Sequence, residues 1–142
     1  MKKSRLFPLA TVYVLWEYSL KAHMDRFRPE SFLPLTPVAF EILLALADGE
    51  RHGYSILQEV ERRSDGAVSL HAGTLYRALA RLLESELIEE LTEAPDPKND
   101  DDRRRYYRLT TRGIAVAKSE VARLEGQLAA ARSRRLLKGA RT

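Results

Sequence analysis

At 142 residues, 44% of them hydrophobic and 31% charged, the chain is long enough to bury one core without metal or cross-links and too short for a second globule. It has no cysteine, which excludes disulfide scaffolds, zinc–thiolate sites and thiol catalysis and fits a cytoplasmic protein. A formal net charge of +4 favours an anionic partner such as nucleic acid, and the placement of the arginines has to decide it.

Residues 1–35 read as an N-terminal extension. Met1-Lys2-Lys3-Ser4-Arg5 followed by the run Leu6 to Trp16 imitates a signal peptide. Glu17 interrupts that run at about half the length of a membrane span, and residues 19–23 offer no small-residue cleavage site, so no membrane association is expected. Val12, Leu15, Trp16, Ser19 and Leu20 can form one face of a helix that ends before Arg28-Pro29, and Met24-Asp25-Arg26-Phe27 offers a second plausible start. Tyr13 and Trp16 concentrate aromatic surface here, either to contact a small apolar or aromatic effector or to pack against a dimer.

A DNA-binding unit is expected over residues 36–110. Thr36-Pro37 is a strong helix start, with the run reaching Asp48, Gly49 as a left-handed stop and Phe40, Leu43, Leu44 and Ala47 as the buried stripe. A second helix begins near Gly53, turns Ile56, Leu57 and Val60 inward and stops at Ser64-Asp65-Gly66. Val68-Ser69-Leu70 alternates like a short strand. Gly73-Thr74 opens a third helix to about Glu84, with Leu75, Leu79, Leu82 and Leu83 apolar and Thr74, Arg77, Ala78 and Arg81 on the other face. That face combines small, polar and basic side chains, which suits entry into a major groove. Residues 87–92 and 105–109 read as the strands of a hairpin around the Pro- and Asp-containing turn 94–102.

Thr110 or Thr111 caps a last helix over residues 111–137, and residues 138–142 read as a frayed tail. In that helix Ile114, Ala117, Val121, Leu124, Leu128 and Ala131 alternate steps of three and four. Such an apolar seam fits pairing with a second copy, and folding back on its own domain is the other way to cover it. The fold class expected is mainly α with a small β-hairpin wing: a winged helix-turn-helix domain with a long C-terminal dimerisation helix and an N-terminal helical extension.

The segment Ile42-Leu43-Leu44-Ala45-Leu46, the triplet His52-Gly53-Tyr54, the block Gly73-Thr74-Leu75-Tyr76, the pair Leu87-Ile88 and the run Arg104-Arg105-Tyr106-Tyr107-Arg108-Leu109-Thr110 with Gly113 together resemble the PadR-like family of winged helix-turn-helix transcriptional regulators. The resemblance spans about residues 36–113, and the short final helix is similar to the short-tailed subgroup. It implies a cytoplasmic homodimeric repressor of detoxification, stress or efflux genes, bound to a pseudo-palindromic double-stranded operator and open to release by a small effector. No enzyme activity, cofactor or metal follows from it.

For DNA contact the candidates are Tyr54, His71, Thr74, Tyr76, Arg77, Arg81, Arg103, Arg104 and Arg105. Thr74 and Tyr76 hydroxyls can bond phosphate at the amino end of the third helix, and Arg77 and Arg81 have the length and fork to read guanine. Tyr76 has packing as a competing role. Arg103 to Arg105 either neutralise phosphate at the base of the wing or merely offset Asp100 to Asp102, with strand alternation sending Arg103 and Arg105 to one face. Those aspartates and Asp96 should repel phosphate from the wing tip, leaving its base to make the contact. His52 is expected to cap or pack, and His52 with His71 makes a poor metal site. The rival reading is a winged-helix module for protein–protein interaction, which an acidic or apolar third-helix face would favour.

Overall fold

The computed structural model describes residues 9–24, 26–91 and 105–137. In chain order it holds α1 (Leu9–Met24), a 3-10 helix (Pro29–Phe32), α2 (Pro37–Leu46), β1 (Arg51–His52), α3 (Gly53–Arg63), α4 (Ala72–Glu84), β2 (Ile88–Glu90), β3 (Tyr106–Leu109) and α5 (Thr111–Ser133). The strands form one antiparallel sheet in the order β1-β3-β2. Helices followed by a hairpin are the winged-helix arrangement read from the sequence, while the strand between α2 and α3 that completes the sheet is not part of that reading.

The starts of α2, α3 and α5 each have a local chemical cause. The Ala39 amide donates to the Thr36 hydroxyl at 3.2 Å with Pro37 in the first turn, and the Gly113 amide donates to the Thr110 hydroxyl at 3.0 Å. The Ser55 amide donates to His52 Nδ1 at 3.1 Å, so His52 caps α3 while its ring meets Tyr106 edge-on. These bonds satisfy amides that the first turn of a helix leaves without a carbonyl partner. Gly49 (φ 141°) and Asp65 with Gly66 (φ 50° and 76°) take the left-handed backbone that follows α2 and α3.

The core gathers Ile42, Leu43, Ala45 and Leu46 of α2, Ile56 and Val60 of α3, and Leu75, Leu79 and Leu82 of α4. Leu87, Ile88, Tyr107 and Val116 close it from the sheet and α5. The structure corrects two expectations. The buried face of α2 is Ile42, Leu43, Ala45 and Leu46, while Phe40 and Leu44 are half-buried and Ala47 is exposed. That helix is packed by α3, α4 and α5 on different sides, so its burial exceeds a single stripe. Residues 68–70 form no strand; the third strand is Arg51–His52, paired Arg51 to Tyr107 and His52 to Tyr106.

Two contacts fix α5 against the rest. A methyl group on Gly113 would stand 1.9 Å from the Leu87 carbonyl oxygen, so only glycine lets the helix approach β2 this closely. Beside it the Thr110 amide donates to that same carbonyl at 3.1 Å and the Thr110 hydroxyl donates to the Glu86 carbonyl at 2.6 Å. Further along, the Glu120 carboxylate is 2% exposed and accepts two bonds from Arg123 at 2.8 and 2.6 Å. Arg123 and a bond from the Leu35 backbone hold its pKa below the usual carboxylate value, against the opposing effect of burial. The second half of the extension is thereby tied to α5: Phe27, Phe32, Leu33 and Leu35 pack on the core, and the Arg112 guanidinium lies 5.0 Å over the Phe27 ring.

Candidate nucleic-acid interface

Leu75, Leu79 and Leu82 bury one side of α4 and so fix which side faces out. On the outward side stand Arg77 and Arg81, both exposed and without an ion pair among the described residues, with Thr74 half-buried between them and the core. His71 occupies the position before the first turn, exposed and making no side-chain capping bond. The first-turn amides of α4 thus open toward solvent beside two arginines, a combination that attracts phosphate.

The amino end of α3 meets that surface through one contact. A methyl group on Gly53 would lie 3.2 Å from the Tyr76 hydroxyl and 3.4 Å from its Cε1, so the Tyr76 ring rests directly over the Gly53 backbone. Both sequence roles of Tyr76 are therefore compatible, because the ring packs while more than half of the residue remains exposed. Tyr54, next in the chain, is exposed on the first turn of α3, which puts two tyrosines on neighbouring helix starts.

The base of the wing joins the same surface. Tyr107 is buried, and burial with a further push from Glu90 raises its pKa, while Arg105 acts in the opposite direction and Tyr76 adds a smaller upward effect. Arg105 lies 3.6 Å from Glu90, and Arg108 donates to Glu89 at 2.5 Å across the β2–β3 ladder, in which Glu89 faces Arg108. Both pairs are largely exposed and therefore weak enough to exchange partners. Arg103 and Arg104, together with Asp96 and Asp100 to Asp102, lie outside the described residues.

Beyond this face, the expected seam of α5 is left open by its own chain. Ile114, Val121 and Leu128 are 43%, 40% and 41% exposed, with Ala117, Leu124 and Ala131 half-buried between them, while Gly113, Val116 and Glu120 face inward. The first half of the seam borders a groove of about 600 Å³ whose other wall is Leu44, Leu46 and Ala47 of α2 and Leu109 of β3. Tyr13 and Trp16 stand exposed on α1 and do not line this groove. No three His, Asp or Glu side chains among the described residues are arranged to hold a metal ion, and no described helix is long and apolar enough to cross a membrane.

Some residues that shape the site carried no legible signal. The Glu120–Arg123 clamp looks like any exposed i,i+3 pair, and only the fold reveals that its carboxylate is buried. Arg51 is similar: its Nε donates to the Ala45 carbonyl at 2.8 Å, holding the α2–α3 turn that presents Gly53 and Tyr54.

The three-stranded sheet packed on α2 to α5, with a basic face on α4, defines a winged-helix protein. The model of the transcriptional regulator PadR-like family matches residues 42–119, and the chain belongs to that family, whose members regulate transcription rather than catalyse reactions. A transcriptional regulator from Clostridium thermocellum shares 28% identity, with a TM-score of 0.58 over 68% of this chain and 87% of that one. A PadR family transcription regulator from Clostridium difficile shares the fold, with a TM-score of 0.58, 22% identity and coverage of 69% of this chain and 97% of that one. An uncharacterised protein of Lysinibacillus sphaericus is 34% identical over 74 residues, or 52% of this chain. This chain spans 65% of the length of that curated relative and 24% of an uncharacterised transposon protein from Streptomyces fradiae.

Proposed function

We propose that the chain acts in the cytoplasm as a homodimeric repressor, placing α4 of each copy in successive major grooves of a pseudo-palindromic double-stranded operator. One observation carries this reading: Arg77 and Arg81 project without described ion-pair partners from α4, whose Tyr76 rests over Gly53 next to the exposed Tyr54. An acidic or apolar face would have favoured a protein-binding module; this one is neither. In this arrangement His71, Thr74, Tyr54 and Tyr76 hold phosphates, Arg77 and Arg81 reach base edges, and Arg105 with Arg103 and Arg104 neutralises the backbone beside the wing.

Pairing is required because one α4 offers too few contacts for a specific site, and two must stand about 34 Å apart to meet successive turns. The open seam Ile114, Ala117, Val121, Leu124, Leu128 and Ala131 supplies a face for a second α5.

Fluorescence anisotropy with the DNA upstream of the protein's own gene tests the assignment. Affinity should fall linearly with log salt, and Arg77→Ala should cost about 1–3 kcal/mol on the preferred sequence while sparing non-specific binding. A folded protein with no salt-sensitive affinity for any duplex would refute the reading.

A further inference from the structure

Helix α1 is unlike every other element of this chain. Each of its eight large apolar side chains from Leu9 to Leu20 is more than half exposed, Trp16 at 65%. Contiguous apolar surface of this extent is rarely left in water, and it marks a contact with another molecule. Three observations identify that molecule. First, the chain that follows α1 is held against α5, by the bond from the Leu35 backbone to Glu120 and by Arg112 over Phe27. Second, the seam is thin for a stable dimer, since two of its six positions are alanine, and specific interfaces bury roughly 1,200–2,000 Å² in total. Third, the groove beside the first half of the seam has a further apolar wall of Leu44, Ala47 and Leu109.

We infer that α1 is a dimerisation arm: its apolar surface is covered by a second copy of this chain, against that copy's α2, β3 and α5. The inference rests on the pairing proposed above and adds a second, reciprocal contact to it. Charge is consistent with this seat. Glu17 and Lys21, one turn apart on α1, would find opposite charges in Lys118 and Glu50, which line the groove. A lipid surface fits less well, because a helix lying on a membrane needs a broad polar face, and from Leu9 to Lys21 α1 has only Glu17 and Lys21 charged. Tyr13 and Trp16 then serve as packing anchors in the interface.

Trp16 is the only tryptophan, so its fluorescence reports on α1 alone. In the full-length dimer its emission should be blue-shifted and shielded from acrylamide several-fold relative to the unfolded chain, and both effects should vanish on dilution in step with dissociation followed by sedimentation. Leu15→Lys should abolish the shielding and raise the dimer dissociation constant by about tenfold or more, with the helical circular dichroism of the core retained. Tyr18→Ala should do the same to a smaller degree. A dimer in which Trp16 stays fully quenchable would sink the arm and leave the α5 pairing standing; a chain monomeric at all concentrations would sink both. Shielding that persists in a Leu124→Arg monomer, or that appears only with anionic phospholipid vesicles, would assign α1 to its own chain or to a membrane and overturn the proposal.

Discussion

Gly113 and Glu120 sit two turns apart on α5 and constrain it by opposite means, one through the absence of a side chain and the other through a buried charge. Gly113→Ala would drive a methyl group into the Leu87 carbonyl, which belongs to backbone and cannot swing aside. The expected cost is about 3 kcal/mol or more, read as a lower midpoint in urea unfolding. An unchanged midpoint would mean that α5 does not cross β2 where it is described. The effect of Glu120 has a defined pH window. Its pKa is lowered in the folded state by Arg123 and the Leu35 bond, so its contribution is fully present above the unfolded value near 4.5. The contribution is lost as pH falls through the folded value. Thermal melts between pH 7 and pH 3 should therefore show an acid limb that Glu120→Gln makes shallower. Part of that limb should remain, because Arg62 lowers the pKa of Glu59 in the same way.

Among the helices, α4 was the most legible and the buried face of α2 the least. Leu75, Leu79 and Leu82 recur at helical spacing against a polar opposite face, and periodicity alone identifies such an amphipathic helix. By contrast, α2 is apolar on most sides, so the sequence contained no contrast from which to choose its buried face. The two-residue strand β1 was illegible for a different reason: its existence depends on Tyr106 and Tyr107, more than fifty positions later, and nothing local distinguishes it from a turn. The candidate site divides the same way. Arg77 and Arg81 followed from a helical face, whereas the stacking of Tyr76 on Gly53 and the tie between Tyr107 and Arg105 are tertiary. At this scale the seam makes its own prediction: Leu124→Arg places a charge among Val121, Leu128 and their counterparts. It should give monomers by light scattering, with operator affinity reduced at least about a hundredfold because only one half-site is then engaged.

For the molecule as a whole, the net charge of +4 says less than its distribution. Glu86, Glu89 and Glu90 hold Arg112, Arg108 and Arg105 in exposed pairs, so part of the positive charge at the wing and the start of α5 is balanced within the chain. The salt dependence of binding should accordingly be shallower than a count of arginines suggests. Replacing Arg103 and Arg104 by alanine should reduce the slope of log affinity against log salt by roughly one unit for each phosphate no longer neutralised, on specific and random DNA alike. A slope that does not move would remove the wing from the interface.

The close approach at Gly113 also bears on geometry far from it. A helix of 23 residues is about 35 Å long, so a tilt of about 5° at its root carries the far end through roughly 3 Å. With glycine seated on a carbonyl at that root, α5 behaves as a stiff lever rather than a hinged one. In the proposed dimer the distance between the two α4 helices would then be set at that joint, and operators whose half-sites are shifted by a single base pair should be rejected rather than accommodated.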